Sequence, residues 1–146
     1  MNELTQAEAD ALLAMHKRRR DDTEYGFPGM GGRLNMELES LDRRELFSLD
    51  VSRGRIQAER QTFQNRGRQT IILARLDFGV PHRNPDGTDV GVPHLHLYRE
   101  GFGDKWAFPV PADRFPTPND HWRMLSDFMA FCSIVEPPRL IRGLFT

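Results

Sequence analysis

Arg33-Leu34-Asn35-Met36-Glu37-Leu38-Glu39 is the stretch that decides the fold class, because its apolar residues fall at every second position. Side chains alternate across a strand with period 2, so Leu34, Met36 and Leu38 face a core while Arg33, Asn35, Glu37 and Glu39 face water. Beyond a turn at residues 41–44, Phe47, Leu49 and Val51 alternate with Leu46, Ser48 and Asp50 as a second strand. Ser52-Arg53-Gly54 turns the chain into an exposed strand over residues 55–63, and Asn65-Arg66-Gly67-Arg68 turns it again. Residues 70–78 form the strongest strand; after a long loop at residues 79–92 comes a strand from His94, and Gly101-Phe102-Gly103-Asp104 leads into residues 105–110. Short polar turns place successive strands side by side, which predicts an antiparallel meander of about six strands with one apolar face.

Outward from the sheet the period becomes helical. Thr5 and Glu8 form a capping box opening a helix over residues 5–18, which turns Ala9, Leu12, Leu13 and Met15 inward and fades in the cationic run from Lys17 to Arg20. The glycine-rich residues 26–32 form a loop into the sheet. A proline-rich stretch at residues 109–118 precedes a second helix over residues 119–133, capped by Asn119 or Thr117, with Trp122, Leu125, Phe128, Met129 and Cys132 as its apolar stripe. Pro137-Pro138 ends it, leaving residues 140–145 as an edge strand. The expectation is one α+β domain spanning residues 1–146, with an N-terminal and a C-terminal helix packed on the apolar face.

Composition narrows the function classes. The 146 residues suit a single core, and 38% hydrophobic with 28% charged content describes a globular rather than disordered chain. A net charge of −1 excludes a protein that coats DNA by overall basicity. Cys132 is the sole cysteine, which excludes an internal disulfide and a CxxC metal motif and favours a reducing cytoplasm. The N-terminus lacks a basic-then-apolar signal pattern, and no run of about 18 apolar residues occurs, so no membrane is expected.

The site candidates come from the other side of the central strands. With Ile72, Ala74, Leu76, Phe78, Leu95, Leu97, Trp106, Phe108 and Val110 assigned to the core, parity leaves Arg75, Asp77, His94, His96, Tyr98 and Lys105 on the opposite face. Two histidines beside a tyrosine are unusual on a merely solvated face. Three chemistries fit. His94 and His96 could act as general acid and base on a phosphodiester, with Tyr98 assisting and Arg75 and Lys105 holding the phosphate; RNA cleavage of this kind uses the ribose 2′-hydroxyl and no metal. His82, His94 and His96 with Asp77, Asp86 or Asp89 could instead hold a divalent metal. Third, the face could simply bind a nucleic acid or a protein.

Local charge favours phosphate. Residues 52–83 carry seven arginines against two acids, Glu59 and Asp77, in a chain whose net charge is −1. Arg66 and Arg68 beside Phe63 read as a basic turn, and the loop containing His82, Arg83 and the turn former Pro85-Asp86-Gly87 reads either as a turn or as a lid over the histidines.

The segments Arg75-Leu76-Asp77-Phe78, Pro81-His82-Arg83-Asn84-Pro85-Asp86-Gly87 and Pro93-His94-Leu95-His96-Leu97-Tyr98-Arg99-Glu100-Gly101, with Lys105-Trp106, resemble an uncharacterised family of small bacterial proteins along nearly the whole chain. More distantly, residues 75–106 are similar to RelE-like ribonuclease toxins of toxin-antitoxin modules. That likeness implies an α+β ribonuclease fold, RNA as substrate and an antitoxin as partner, with Asp77, His82, His94 and His96 at the matching positions. The loop at residues 79–92 is longer here, and no RelE-type catalytic set aligns residue by residue.

The sequence therefore leads to an RNA-directed protein, in its enzyme form a metal-independent endoribonuclease without a cofactor. Its candidate catalytic residues are His94, His96, Tyr98, Asp77 and His82, and its phosphate contacts are Arg75, Lys105, Arg66, Arg68 and Arg83. The alternative is a non-catalytic accessory or inhibitor protein of a mobile-element or defence system that binds protein or nucleic acid.

Overall fold

A computed structural model describes residues 3–57 and 60–142. Helix α1 (Gln6–Ala14) begins at Thr5, whose side chain and that of Glu8 form the expected capping box. The strands β1 (Lys17–Arg19), β3 (Arg33–Ser40), β4 (Leu46–Arg53), β5 (Gln61–Gly67), β6 (Ile71–Asp77), β9 (His94–Leu97), β10 (Ala107–Pro109) and β11 (Ile134–Glu136) form one eight-stranded sheet in the order β10-β9-β6-β5-β4-β3-β1-β11. The run from β3 to β10 is the six-stranded antiparallel meander read from the sequence, and β1 and β11 extend it beyond that reading. Two further pairs lie apart from it. These are β2 (Glu24–Gly26) with β12 (Arg139–Ile141), and β7 (His82–Arg83) with β8 (Asp89–Val90). Helix α2 (His121–Phe131) is capped by Asp120 rather than by Asn119 or Thr117.

Met36, Leu38, Phe47, Leu49, Val51, Phe63 and Leu76 share one core with Ala9 and Leu12 of α1 and Met124, Leu125 and Phe128 of α2. Burying side chains of this size supplies roughly 1.5–3 kcal/mol each before the entropy of ordering is subtracted. Trp122 stands outside this core and meets Phe27 edge to face at 5.7 Å.

Four expectations change for identifiable reasons. The third strand begins at Gln61 and is buried rather than exposed, because its inward positions are Gln61, Phe63, Asn65 and Gly67, only one of which is apolar. At Gly67 a Cβ would stand 3.2 Å from Leu73 Cδ1, a tight contact that Leu73 would have to yield to by a few tenths of an ångström. In β6, Asn65 pairs with Ala74 but Arg66 with Ile72, leaving Leu73 as a bulged extra residue that reverses parity. Leu73, rather than Ile72, therefore joins the core.

Lys17 is not the solvated end of a helix. It starts β1 and is fully buried. At the other margin, β10 is an edge strand, so Ala107 is buried while Phe108 is 41% exposed, and neither Phe108 nor Trp106 belongs to the core. Of the expected tail strand, Leu140 and Ile141 pair in β12; residues 143–145, like Ala58 and Glu59 of the expected third strand, lie outside the described residues. No helix among the described residues is long and apolar enough to cross a membrane.

Candidate functional site

The polar face of the sheet is organised in cross-strand rows. One row runs Asn35, Asp50, Gln64, Arg75, His96; the next runs Arg33, Ser52, Thr62, Asp77, His94. Parity thus places Arg75, Asp77, His94 and His96 together as expected. Tyr98 does not join them: it lies beyond β9 opposite the bulge, donates its amide to Leu73 O, and turns into the core, where its hydroxyl donates to Leu4 O at 2.6 Å.

The residue 79–92 segment is not an irregular loop. The β7–β8 pair folds back over the end of the face, with Asn84 and Gly87 closing its turn and Gly87 at a positive φ of 88°. Asn84 pins it: its side chain donates to Ala107 O at 2.9 Å and accepts from Ala107 N at 2.8 Å. His82 on β7 then packs on the pair, edge to face with His96 at a ring-centroid distance of 4.6 Å and tilted against His94 at 5.8 Å. His94 and His96 are each only 1% exposed. The lid reading is the one this geometry matches.

Hydrogen bonds fix the imidazoles. A carbonyl only accepts, so His94 Nδ1 donates to Gly91 O at 3.0 Å and His96 Nδ1 to Asp104 O at 2.7 Å. Each Nε2 is left as a lone-pair acceptor. His96 Nε2 receives Arg75 Nη2 at 3.1 Å, and Arg75 Nη1 pairs with the Asp104 carboxylate at 2.5 Å. His94 Nε2 faces Asp77 Oδ2 at 3.8 Å. Burial, aided by the Arg75 charge, pushes His96 down to about 4, and burial also lowers His94, so both rings are neutral at pH 7. One ligand atom from each of Asp77, His94 and His96 lies within 4.8 Å of the others, a set able to hold a metal ion.

The remaining phosphate candidates are dispersed and mostly engaged. Arg66 makes a two-pronged contact with Asp50 and also donates to Asn35 Oδ1 and Gln69 O. Arg68 pairs with Glu45, and Arg83 pairs with Asp89 across the β7–β8 ribbon. Lys105 reaches the site through its carbonyl, which accepts from His82 Nε2 at 2.7 Å, while its residue is exposed.

Sequence reading missed two groups. Asp104 sits in a glycine-rich turn that signals only a turn, and no local pattern shows that it will meet Arg75. Asn84 reads as a turn former, although its side chain anchors the lid. Arg33 is exposed, as expected for the solvated face, and with Arg55 and Arg60 it stands at one end of the sheet without a side-chain hydrogen bond or ion pair among the described residues. Met30 and Ile56 lie at that same end, 59% and 88% exposed. Gly31 joins the two loops by donating to the carbonyls of Arg53 and Gly54. An open depression of about 500 Å³, whose polar lining is Arg33, Asn35, Ser52, Thr62, Gln64 and the Asp50–Arg66 pair, runs from this rim across the polar face.

Comparison with known proteins returns no matching curated protein and no matching solved structure. One family model does match, over residues 4–134, and it covers both helices, the whole meander and the histidine cluster. The chain therefore belongs to a family of unknown function, DUF6978.

Proposed function

We propose that this protein binds single-stranded RNA along the arginine-bearing end of its sheet. The observation that carries the reading is the set of exposed arginines without side-chain partners among the described residues, Arg33, Arg55 and Arg60, beside exposed Met30 and Ile56. A guanidinium pairs with phosphate and stacks on bases, and apolar side chains suit bases that are not already paired. The arginines of the other candidate contacts are already neutralised by Asp50, Glu45, Asp89 and Asp104 and offer less to a phosphate.

The ribonuclease form of the proposal uses His94 and His96 as proton-transfer groups and requires the β7–β8 lid to lift, since both rings are covered. On the likeness of residues 75–106 to RelE-type toxins, the proposed partner is an antitoxin. Growth arrest on expression, relieved by a neighbouring gene's product, supports that form; normal growth removes it.

Binding is tested by fluorescence anisotropy with a labelled single-stranded RNA across a salt series. Three phosphate contacts predict a slope of log K against log salt of about −2. Replacing any one of Arg33, Arg55 or Arg60 by Ala flattens that slope by about 0.7, whereas Arg66→Ala leaves it unchanged. Absence of binding at low salt, or equal losses in Arg66→Ala and the rim variants, overturns the reading. Stable capture of a protein with no RNA affinity would favour an accessory-protein role instead.

A further inference from the structure

We propose that Asp77, His94 and His96 form a binding site for one divalent transition-metal ion of the zinc class. This site is distinct from the arginine rim and does not depend on RNA binding there; an ion held by His94 and His96 takes the lone pairs that the ribonuclease form uses for proton transfer, so the two compete.

The argument starts from a mismatch of lone pairs. His94 Nδ1 is committed as the donor to Gly91 O, so His94 Nε2 presents a lone pair to a carboxylate oxygen of Asp77 at 3.8 Å. Neither atom brings a proton to that gap, and 3.8 Å is too long for a hydrogen bond. It is, however, close to the spacing of two ligands that share an ion at about 2.0–2.2 Å from each. A nitrogen of His96 completes a set whose three atoms lie within 4.8 Å of one another, and holding one ion requires the side chains to move inward from that spacing.

The surroundings have the form of a metal site's outer layer. Both imidazoles donate their other nitrogen to a backbone carbonyl, Gly91 O and Asp104 O, an arrangement that fixes ring orientation and raises ligand basicity. Asp77 Oδ1 accepts from the Gly79 amide at 2.9 Å, which orients the carboxylate. His82 covers the pair, and its Nε2 donates to Lys105 O; it is not among the three residues whose ligand atoms group together. Two imidazoles with one carboxylate select a borderline ion over calcium or magnesium, which prefer all-oxygen sets.

Arg75 opposes occupancy. Its Nη2 donates to His96 Nε2, so an entering ion must displace that contact, while the Asp104 carboxylate retains the guanidinium through Nη1. Arg75 thus acts as a protein-borne cation that holds His96 in place when no ion is bound, and its removal should tighten metal binding by about tenfold through lost repulsion.

The test uses the whole protein stripped with chelator, dialysed and titrated with Zn²⁺ or Co²⁺ at micromolar concentration, with elemental analysis and the visible spectrum of the Co²⁺ form as readouts. One ion per chain is expected, with intense Co²⁺ bands. Asp77→Asn, which keeps the shape of the carboxylate without its charge, and His96→Ala should each abolish both signals; Arg75→Met should strengthen binding, and Arg33→Ala should leave it unchanged. Circular dichroism confirms that each variant is folded. Failure of the folded wild-type protein to retain an ion overturns the proposal whatever the variants do. Stoichiometric binding that survives Asp77→Asn and His96→Ala places the ion elsewhere and also overturns it. Absence of RNA affinity in a wild-type protein that retains the ion counts against the RNA reading only.

Discussion

Lys17 Nζ donates to the carbonyl oxygen of Cys132 at 2.8 Å, joining the start of β1 to the residue that ends α2. The same ammonium donates to Leu13 O and Met15 O, each at 2.9 Å, at the end of α1, and lies 4.7 Å from the centre of the Phe47 ring. A single buried cation therefore satisfies carbonyls at the C-termini of both helices, where the helix dipole also favours positive charge. Lys17→Met keeps the aliphatic volume but leaves these carbonyls without a donor, and should cost about 3 kcal/mol in urea unfolding. A loss below about 0.5 kcal/mol would show that water replaces the ammonium without penalty.

The same lysine sets an alkaline dependence. Burial lowers it to about 8 from an ordinary value of 10.5, so between those limits the unfolded chain binds more protons than the folded one. The Lys17 contribution to stability should therefore increase as pH rises from about 8 to 10.5. Subtracting the stability profile of Lys17→Met from that of the wild type isolates this slope; a flat or falling difference contradicts it.

In acid the histidines act in the same sense. His96 is held near 4 by burial and by Arg75, and His94 is lowered mainly by burial, whereas an unfolded imidazole titrates near 6.5. Unfolding takes up protons in that interval, so the histidine contribution is complete above pH 6.5 and is lost as pH falls towards 4. Urea unfolding in chelator-containing buffer should show this loss in the wild type and a shallower one in His96→Gln.

How much of this was written in the sequence depends on whether a position is decided locally. The meander was legible because Met36, Leu38, Phe47, Leu49 and Val51 obey period 2 and their turns are short. β5 was misplaced because Asn65 and Gly67 fill inward positions for tertiary reasons, one donating to Ser48 O and the other making room for Leu73. Pleat parity brought Arg75, Asp77, His94 and His96 together correctly, since the β6–β9 ladder is regular there. It failed for Tyr98 because a bulge on a neighbouring strand leaves no mark in the residues of its own strand. The arginines show the same limit: their number was visible, but which of them meet a carboxylate depends on cross-strand register.

Asn84 carries the lid. Replacing it with Ala removes both hydrogen bonds to Ala107 and leaves that buried amide and carbonyl without their partner, at a cost of about 2 kcal/mol. The more specific outcome is local. Amide exchange should accelerate at Ala107 and along β7–β8, and His94 and His96 should become accessible to an imidazole-modifying reagent, while the β3–β4 ladder exchanges as before. Uniform acceleration across the sheet would mean that Asn84 supports global stability rather than the cover over the histidines.

Tyr98 separates a structural from a catalytic role. Its hydroxyl donates to the Leu4 carbonyl, and its ring belongs to the core that contains Ala9, Leu12 and Leu73, so it holds the segment before α1 against the sheet. Burial raises its pKa, which keeps the phenol protonated and donating at neutral pH. Tyr98→Phe keeps the ring and deletes one hydrogen bond, so stability should fall by about 1 kcal/mol. Because the hydroxyl points away from the His94–His96 side, RNA affinity, any RNA cleavage and Co²⁺ binding should match the wild type. A cleavage rate that drops while stability and binding hold would return Tyr98 to the reacting groups, and would require it to leave Leu4 during turnover.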